Sequence, residues 1–179
     1  MLKIVKNIVD GIKLNVEYFK SIKDDNDDIF FRQSEITEGG YIIRHNTTKL
    51  LQNNASACLC TIIDFGEGKY IPCLYTDGMF KMLSKETQEF IIQHEMGHFN
   101  YHLNLLIGDE PIKRNIDLEH QADEYAMEQI GYSKAINGLI EIKEMGIKMQ
   151  YGFGKFSPFT REINKRIKHL MEVNKANNN

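Results

Sequence analysis

The sequence predicts an α+β fold, a small and mostly antiparallel sheet packed on a bundle of helices. Between residues 29 and 76, short runs rich in β-branched and aromatic residues are broken by turn signals such as Gly39-Gly40 and Phe65-Gly-Glu-Gly68. From Ser84 onward, segments of helical length follow one another, punctuated by Gly108, Pro111, Gly131 and Ser157-Pro158. The first of these helices carries His94-Glu95-Met96-Gly97-His98, and the second carries Glu119-His-Gln-Ala-Asp123.

The chain's 179 residues fit one domain, expected over 1–175, with an Asn-rich tail at 176–179 expected to be disordered. With 22 basic and 25 acidic residues, a net charge of -3 and a pI near 6.1, it is a poor general binder of nucleic acid. No apolar run approaches the roughly 20 residues that span a bilayer, and the N-terminus has no small-residue cleavage site of a signal peptide. A cytoplasmic location is expected. Cys58, Cys60 and Cys73 all fall in β-like segments and read as small buried thiols in a reducing compartment. A second metal site built from them would lack a fourth ligand and a usual spacing.

Residues 1–23 are ambiguous: Ile4, Ile8 and Ile12 fit a helical stripe, whereas Ile12, Leu14, Val16 and Tyr18 alternate as in a strand, with Gly11 as the candidate switch. Asp24, Asp25, Asp27 and Asp28 read as a solvated loop. Candidate strands follow at Ile29–Arg32, Tyr41–His45, Ala57–Asp64 and Lys69–Tyr75, the last two joined by the Phe65–Gly68 hairpin turn. Pro72 has no N–H for a ladder bond and predicts that the last strand lies on an edge, where an extended peptide could pair.

A short helical piece at Met79–Leu83 leads to Ser84, a good N-cap, and Glu86 in the first turn suits the helix dipole. The motif helix is expected from Lys85 to Leu105, a second from Asn115 to Gln129, and a third capped by Ser133 and running to Lys148. Tyr151–Lys155 reads as a loop. Ser157 as cap and Pro158 in the first turn start a last helix through Val173.

A helix advances about 100° and about 1.5 Å per residue. His94 and His98 therefore leave one face, one turn apart, and can close on a single ion. Glu95 sits at the edge of that face, able to reach a metal-associated water without being a ligand. Two imidazoles with a neighbouring carboxylate form the zinc-hydrolase arrangement. An ordinary amphipathic helix could carry the same five residues, but Phe90, Ile91 and Ile92 lead the histidines into a buried segment. Catalytic zinc needs a third protein ligand. Glu119 and Asp123 are one turn apart on the second helix, and Ala122 and Ala126 are small enough to let it approach the first. Glu119 is assigned as that ligand and Asp123 as the acceptor that orients a histidine through its other ring nitrogen. His120 is the competing ligand, and a solvated acidic face (with Glu124 and Glu128) is the plain alternative. His102 lies about 12 Å along a straight helix from His94, too far to share the ion, and position 104, where a further ligand histidine would belong, is Asn104. His45 and His169 carry no spacing signal.

The chain resembles the zinc metallopeptidases that include the CAAX prenyl protease and HtpX. The similarity lies in Thr76-Asp-Gly-Met-Phe-Lys-Met-Leu-Ser84, His94-Glu-Met-Gly-His98, Glu119-His-Gln-Ala-Asp123 and, more weakly, Pro158 to Leu170. The resemblance implies a gluzincin-type, zincin-like fold without the membrane helices of those members. It implies one Zn2+ per chain held by His94, His98 and Glu119, Glu95 as general base, and Asp123 supporting a ligand. The family's late arginine could be Arg161 or Arg166, so stabilisation of the oxyanion stays open among Arg161, Arg166 and Tyr151. The expected activity is a zinc-dependent endopeptidase acting on a protein or peptide substrate. A second expectation is a regulatory metallopeptidase of the ImmA/IrrE kind acting on a repressor. A third, from another class, is a zinc-stabilised binding module without turnover.

Overall fold

The computed structural model describes residues 6, 8–13, 40–44, 58–64, 66–76, 78–107, 115–150 and 153–178. Strands β1 (Ile42–Arg44), β2 (Cys58–Asp64) and β3 (Tyr70–Thr76) precede five helices: α1 (Gly78–Met82), α2 (Lys85–Ile107), α3 (Ile116–Ile130), α4 (Tyr132–Met149) and α5 (Pro158–Asn177). A 3-10 turn at Phe153–Phe156 precedes α5. The fold is α+β and mostly helical, with the sheet small and at one side.

The expected strand Ile29–Arg32 lies outside the described residues. Residues 8–13 are helical, so Gly11 sits inside helical structure and marks no switch to a strand there. β2 and β3 pair antiparallel from Cys58↔Thr76 to Asp64↔Tyr70. The hairpin between them turns through Gly66, Glu67 and Gly68, all at positive φ, a conformation glycine adopts at little cost. Asp64 Oδ1 accepts from the Gly66 N–H at 2.6 Å and closes the turn.

One expectation about the sheet is overturned. β1 pairs parallel with β3, in register Ile42↔Cys73 to Arg44↔Tyr75, so the strand order is β1-β3-β2 and β3 is central. Pro72 is tolerated there because the pairing with β1 begins one residue after it, at Cys73. Among the described residues β2 is the longer of the two edge strands.

Ser84 caps α2 as expected: its Oγ accepts from Thr87 N–H at 3.2 Å. The same hydroxyl donates to Glu141 Oε2 of α4 at 2.6 Å, which ties the start of the motif helix to the bundle. Asn115 caps α3 through Asp117 N–H, and Ser157 caps α5 through Thr160 N–H with Pro158 in the first turn. Ser133 caps nothing. α3 and α4 are separated by Gly131 alone, at φ 89°, and α4 already begins at Tyr132, which puts Ser133 inside its first turn. α5 continues through Asn177, past the Lys175 where order is expected to end. Asn178 Nδ2 donates to Asn174 O and finishes that helix.

The core gathers Leu74 from β3, Phe80 and Leu83 from the α1 region, Phe90 and Ile91 from α2, Ala126, Leu139, Ile163 and Leu170. Phe90 sits at its centre against Gly138 of α4, where an added Cβ would come within 2.9 Å of the ring. No helix among the described residues is long and apolar enough to cross a membrane.

Candidate metal centre

α2 meets α3 where side chains are smallest. A Cβ on Gly97 would lie 2.8 Å from Ala122 Cα, and Ala122 and Ala126 are fully buried. This close approach sets Glu119 opposite the histidine pair. One ligand atom from each of His94, His98 and Glu119 lies within 4.8 Å of the others, a grouping that could hold a metal ion. His94 Nε2 and His98 Nε2 are 3.2 Å apart. Glu119 Oε2 is 3.4 Å from His94 Nε2, and Oε1 is 3.7 Å from His98 Nε2.

The donor set itself fits a cation. His94 Nδ1 lies 2.8 Å from Asp123 Oδ1, a carboxylate that can only accept when ionised. In its neutral form the ring therefore carries its proton on Nδ1, and its Nε2 then turns a lone pair toward the cluster. Two imidazole nitrogens and a carboxylate converging in a partly buried space leave concentrated negative potential that a cation would satisfy. In the metal-free chain a proton does so. Burial and the Arg166 charge lower the pKa of His94, but its hydrogen bonds to Asp123 and Glu119 outweigh both and raise it to about 9. Burial and the charge on His94 lower His98 to about 3. Burial acts to raise Glu119, yet the hydrogen bond and charge of His94, with Arg166, hold it well below the usual carboxylate range.

Asp123 is itself clamped. Arg166 of α5 donates from Nε to Asp123 Oδ2 at 2.7 Å and from Nη2 to Oδ1 at 2.6 Å, the two-pronged geometry that suits a carboxylate. Its Nη1 lies 3.0 Å from Glu119 Oε2. Asp123 is fully buried; its burial would raise its pKa, but the Arg166 charge and hydrogen bonds lower it to about 2.

Glu95 stands beside the cluster. Its Oε2 accepts from the Cys60 N–H at 3.0 Å, so β2 touches the motif helix through its main chain. Burial raises the Glu95 pKa, and although the His94 charge opposes this, it reaches about 7. A carboxylate so poised can take and return a proton near neutral pH.

The structure thus brings His94, His98, Glu119, Glu95 and Asp123 into one cluster. Of the three candidates for the oxyanion, Arg166 reaches the cluster but its guanidinium is committed to Asp123 and Glu119. Arg161 is exposed on α5 and lines a surface groove with Ile116, Pro158 and Lys165. Tyr151 lies outside the described residues, as does His45. His120 stands outside that grouping: its ring stacks on His169 at 4.0 Å, and His169 Nε2 bonds Glu124 Oε1 at 2.5 Å. Cys60 and Cys73 are buried.

Sequence reasoning missed two contacts. His102 is weighed in the sequence only as a ligand, whereas its four-residue spacing from His98 is the spacing of helical neighbours, and its Nδ1 lies 3.1 Å from His98 Nδ1. The Cys60 N–H on Glu95 is a main-chain contact that no side-chain pattern announces. No family model, curated protein or solved structure matches the chain.

Proposed function

We propose that the chain is a zinc-dependent endopeptidase of the gluzincin type with a zincin-like fold, one zinc per chain, acting on protein or peptide substrates in the cytoplasm. The observation that carries this is the convergence of the buried His94 with the half-buried His98 and Glu119 beside a carboxylate, Glu95, whose pKa stands near 7. The resemblance to the CAAX prenyl protease and HtpX group implies the same residues in the same roles. Two imidazoles and one carboxylate are the donor set of catalytic rather than structural zinc, which leaves a coordination position open.

When bound, zinc would supply a Lewis acid that acidifies a water and polarises the scissile carbonyl. The chain's own residues do the rest. Glu95 accepts the water's proton and delivers it to the leaving amine, with its Oε2 held by the Cys60 N–H. Asp123 and Arg166 keep His94 in the tautomer that presents Nε2. An extended substrate would pair with β2. The Cys60 N–H faces Glu95 and not β3, so the main-chain groups of neighbouring alternate residues on that strand face away from β3 as well. The peptide-binding edge expected at Lys69–Tyr75 therefore moves to Cys58–Asp64.

The test is Glu95→Gln. Zinc-loaded wild type and variant are incubated with a proteome-derived peptide library, and new termini are counted by mass spectrometry. Wild type is expected to generate them, and the variant to bind one zinc yet fall at least ~100-fold in rate. Equal cleavage by both would remove Glu95 as base. Full zinc binding with no cleavage by either protein would favour a zinc-stabilised binding module.

A further inference from the structure

The two histidines of the cluster are supported differently. Behind His94 stands a carboxylate. Behind His98 stands a second imidazole: His98 Nδ1 is 3.1 Å from His102 Nδ1, and His102 Nε2 is 2.8 Å from Gln121 Oε1. His102 is buried, and α2 departs from helical geometry at this residue, with φ -121° and ψ 21°. Gln121 sits on the exposed side of α3, between Glu119 and Asp123.

Each contact fixes the next. An amide oxygen accepts and cannot donate. Gln121 Oε1 therefore requires the proton of His102 on Nε2, which leaves His102 Nδ1 as an acceptor. His98 must then carry its own proton on Nδ1, and its Nε2 is left as a bare lone pair facing His94 and Glu119. Were the amide reversed, the chain of protons would run the other way and seat a proton on His98 Nε2, where it would block coordination. One exposed amide thus sets the tautomer of the half-buried His98 two contacts away.

We infer that His102 and Gln121 are positioning residues that hold His98 in the Nδ1–H tautomer with its Nε2 lone pair turned to the ion. The inference rests on the proposed metal site for its purpose, but the tautomer itself is a property of the metal-free chain. α3 then serves both histidines, supporting His94 through Asp123 and His98 through Gln121 and His102.

The experiment has two arms. In the first, two-bond 1H–15N correlation spectra of metal-free, 15N-labelled protein report the histidine tautomers. His98 is expected as Nδ1–H and His102 as Nε2–H, and Gln121→Met should mix the tautomers of both. In the second, zinc affinity is read by competition with a chromophoric chelator. His102→Phe should weaken zinc binding by about 10- to 100-fold, the usual effect of losing an outer-sphere partner, and Gln121→Met by several-fold. Gln121→Glu keeps an acceptor toward His102 and should restore wild-type affinity. Because Gln121 is exposed, a purely structural role would leave both of its variants like wild type. An Nε2–H tautomer on His98, or wild-type affinity in Gln121→Met, would overturn the inference. Absence of zinc binding by wild type would refute the proposed metal site instead, with the spectra still deciding the tautomer.

Discussion

His94 and His98 sit one turn apart on the same helix and face the same space, yet they are held by opposite means. His94 leans on Asp123, which Arg166 clamps through two hydrogen bonds. His98 leans on the imidazole of His102 and, through it, on Gln121. The consequence is electrostatic. Burial and the Arg166 charge act to lower His94, but its hydrogen bonds to Asp123 and Glu119 raise it to about 9, whereas burial and the neighbouring His94 charge lower His98 to about 3. One ligand thus enters the metal-free state protonated and the other bare. Two identical side chains in one motif are made inequivalent by what lies behind them.

The largest expected effect is on the charged arm. Asp123→Ala leaves the Arg166 guanidinium buried without its main partner, and breaking a buried ion pair costs about 3–5 kcal/mol. His102→Ala on the other arm strands the part-buried Nδ1–H of His98, at about 1–3 kcal/mol. Urea denaturation of the two metal-free variants measures the gap. Equal losses would erase the distinction between the arms.

A smaller effect sharpens the comparison through pH. Zinc must displace the proton of His94, which is bound up to a pH of about 9, but none from His98, which titrates near 3. The apparent zinc affinity should therefore rise by about tenfold per pH unit between pH 7 and pH 9 and then level off, as competition by one proton requires. Chelator competition at several pH values checks this. A flat profile would mean that His94 is already deprotonated, and a slope of two would mean that both rings compete.

The smallest effect is a contrast between two arginines of α5. Arg166 is buried at the cluster, whereas Arg161 is exposed on another side of the helix. Arg161→Ala should leave zinc affinity unchanged and shift stability by no more than about 0.5 kcal/mol, as an exposed substitution does. A marked loss of zinc in that variant would give Arg161 the role assigned here to Arg166.

Much of this was legible in the sequence where one helix decides the outcome. The His94/His98 spacing, the Glu119/Asp123 spacing, the small residues Ala122 and Ala126, and the caps Ser84 and Ser157 are all local patterns, and each stands where the sequence puts it. What was hidden depends on distant pairing. Pro72 suggests an edge strand, but a short parallel strand from residues 42–44 arrives beside β3 just past the proline. Ser133 looks like a cap, but Gly131 makes the reversal in a single residue. Arg161 and Arg166 cannot be told apart by spacing from Pro158; only the packing of α5 on α3 shows which one meets Asp123. His102 could have been found from the sequence, had i,i+4 neighbours been weighed as supports as well as ligands.

The central claim is that His94, His98 and Glu119 hold one metal ion. Elemental analysis of wild type and Glu119→Ala, purified side by side, tests it most directly. About one zinc per chain in wild type, falling sharply in Glu119→Ala, is the predicted result. No metal in wild type, or a full complement in Glu119→Ala, would contradict it.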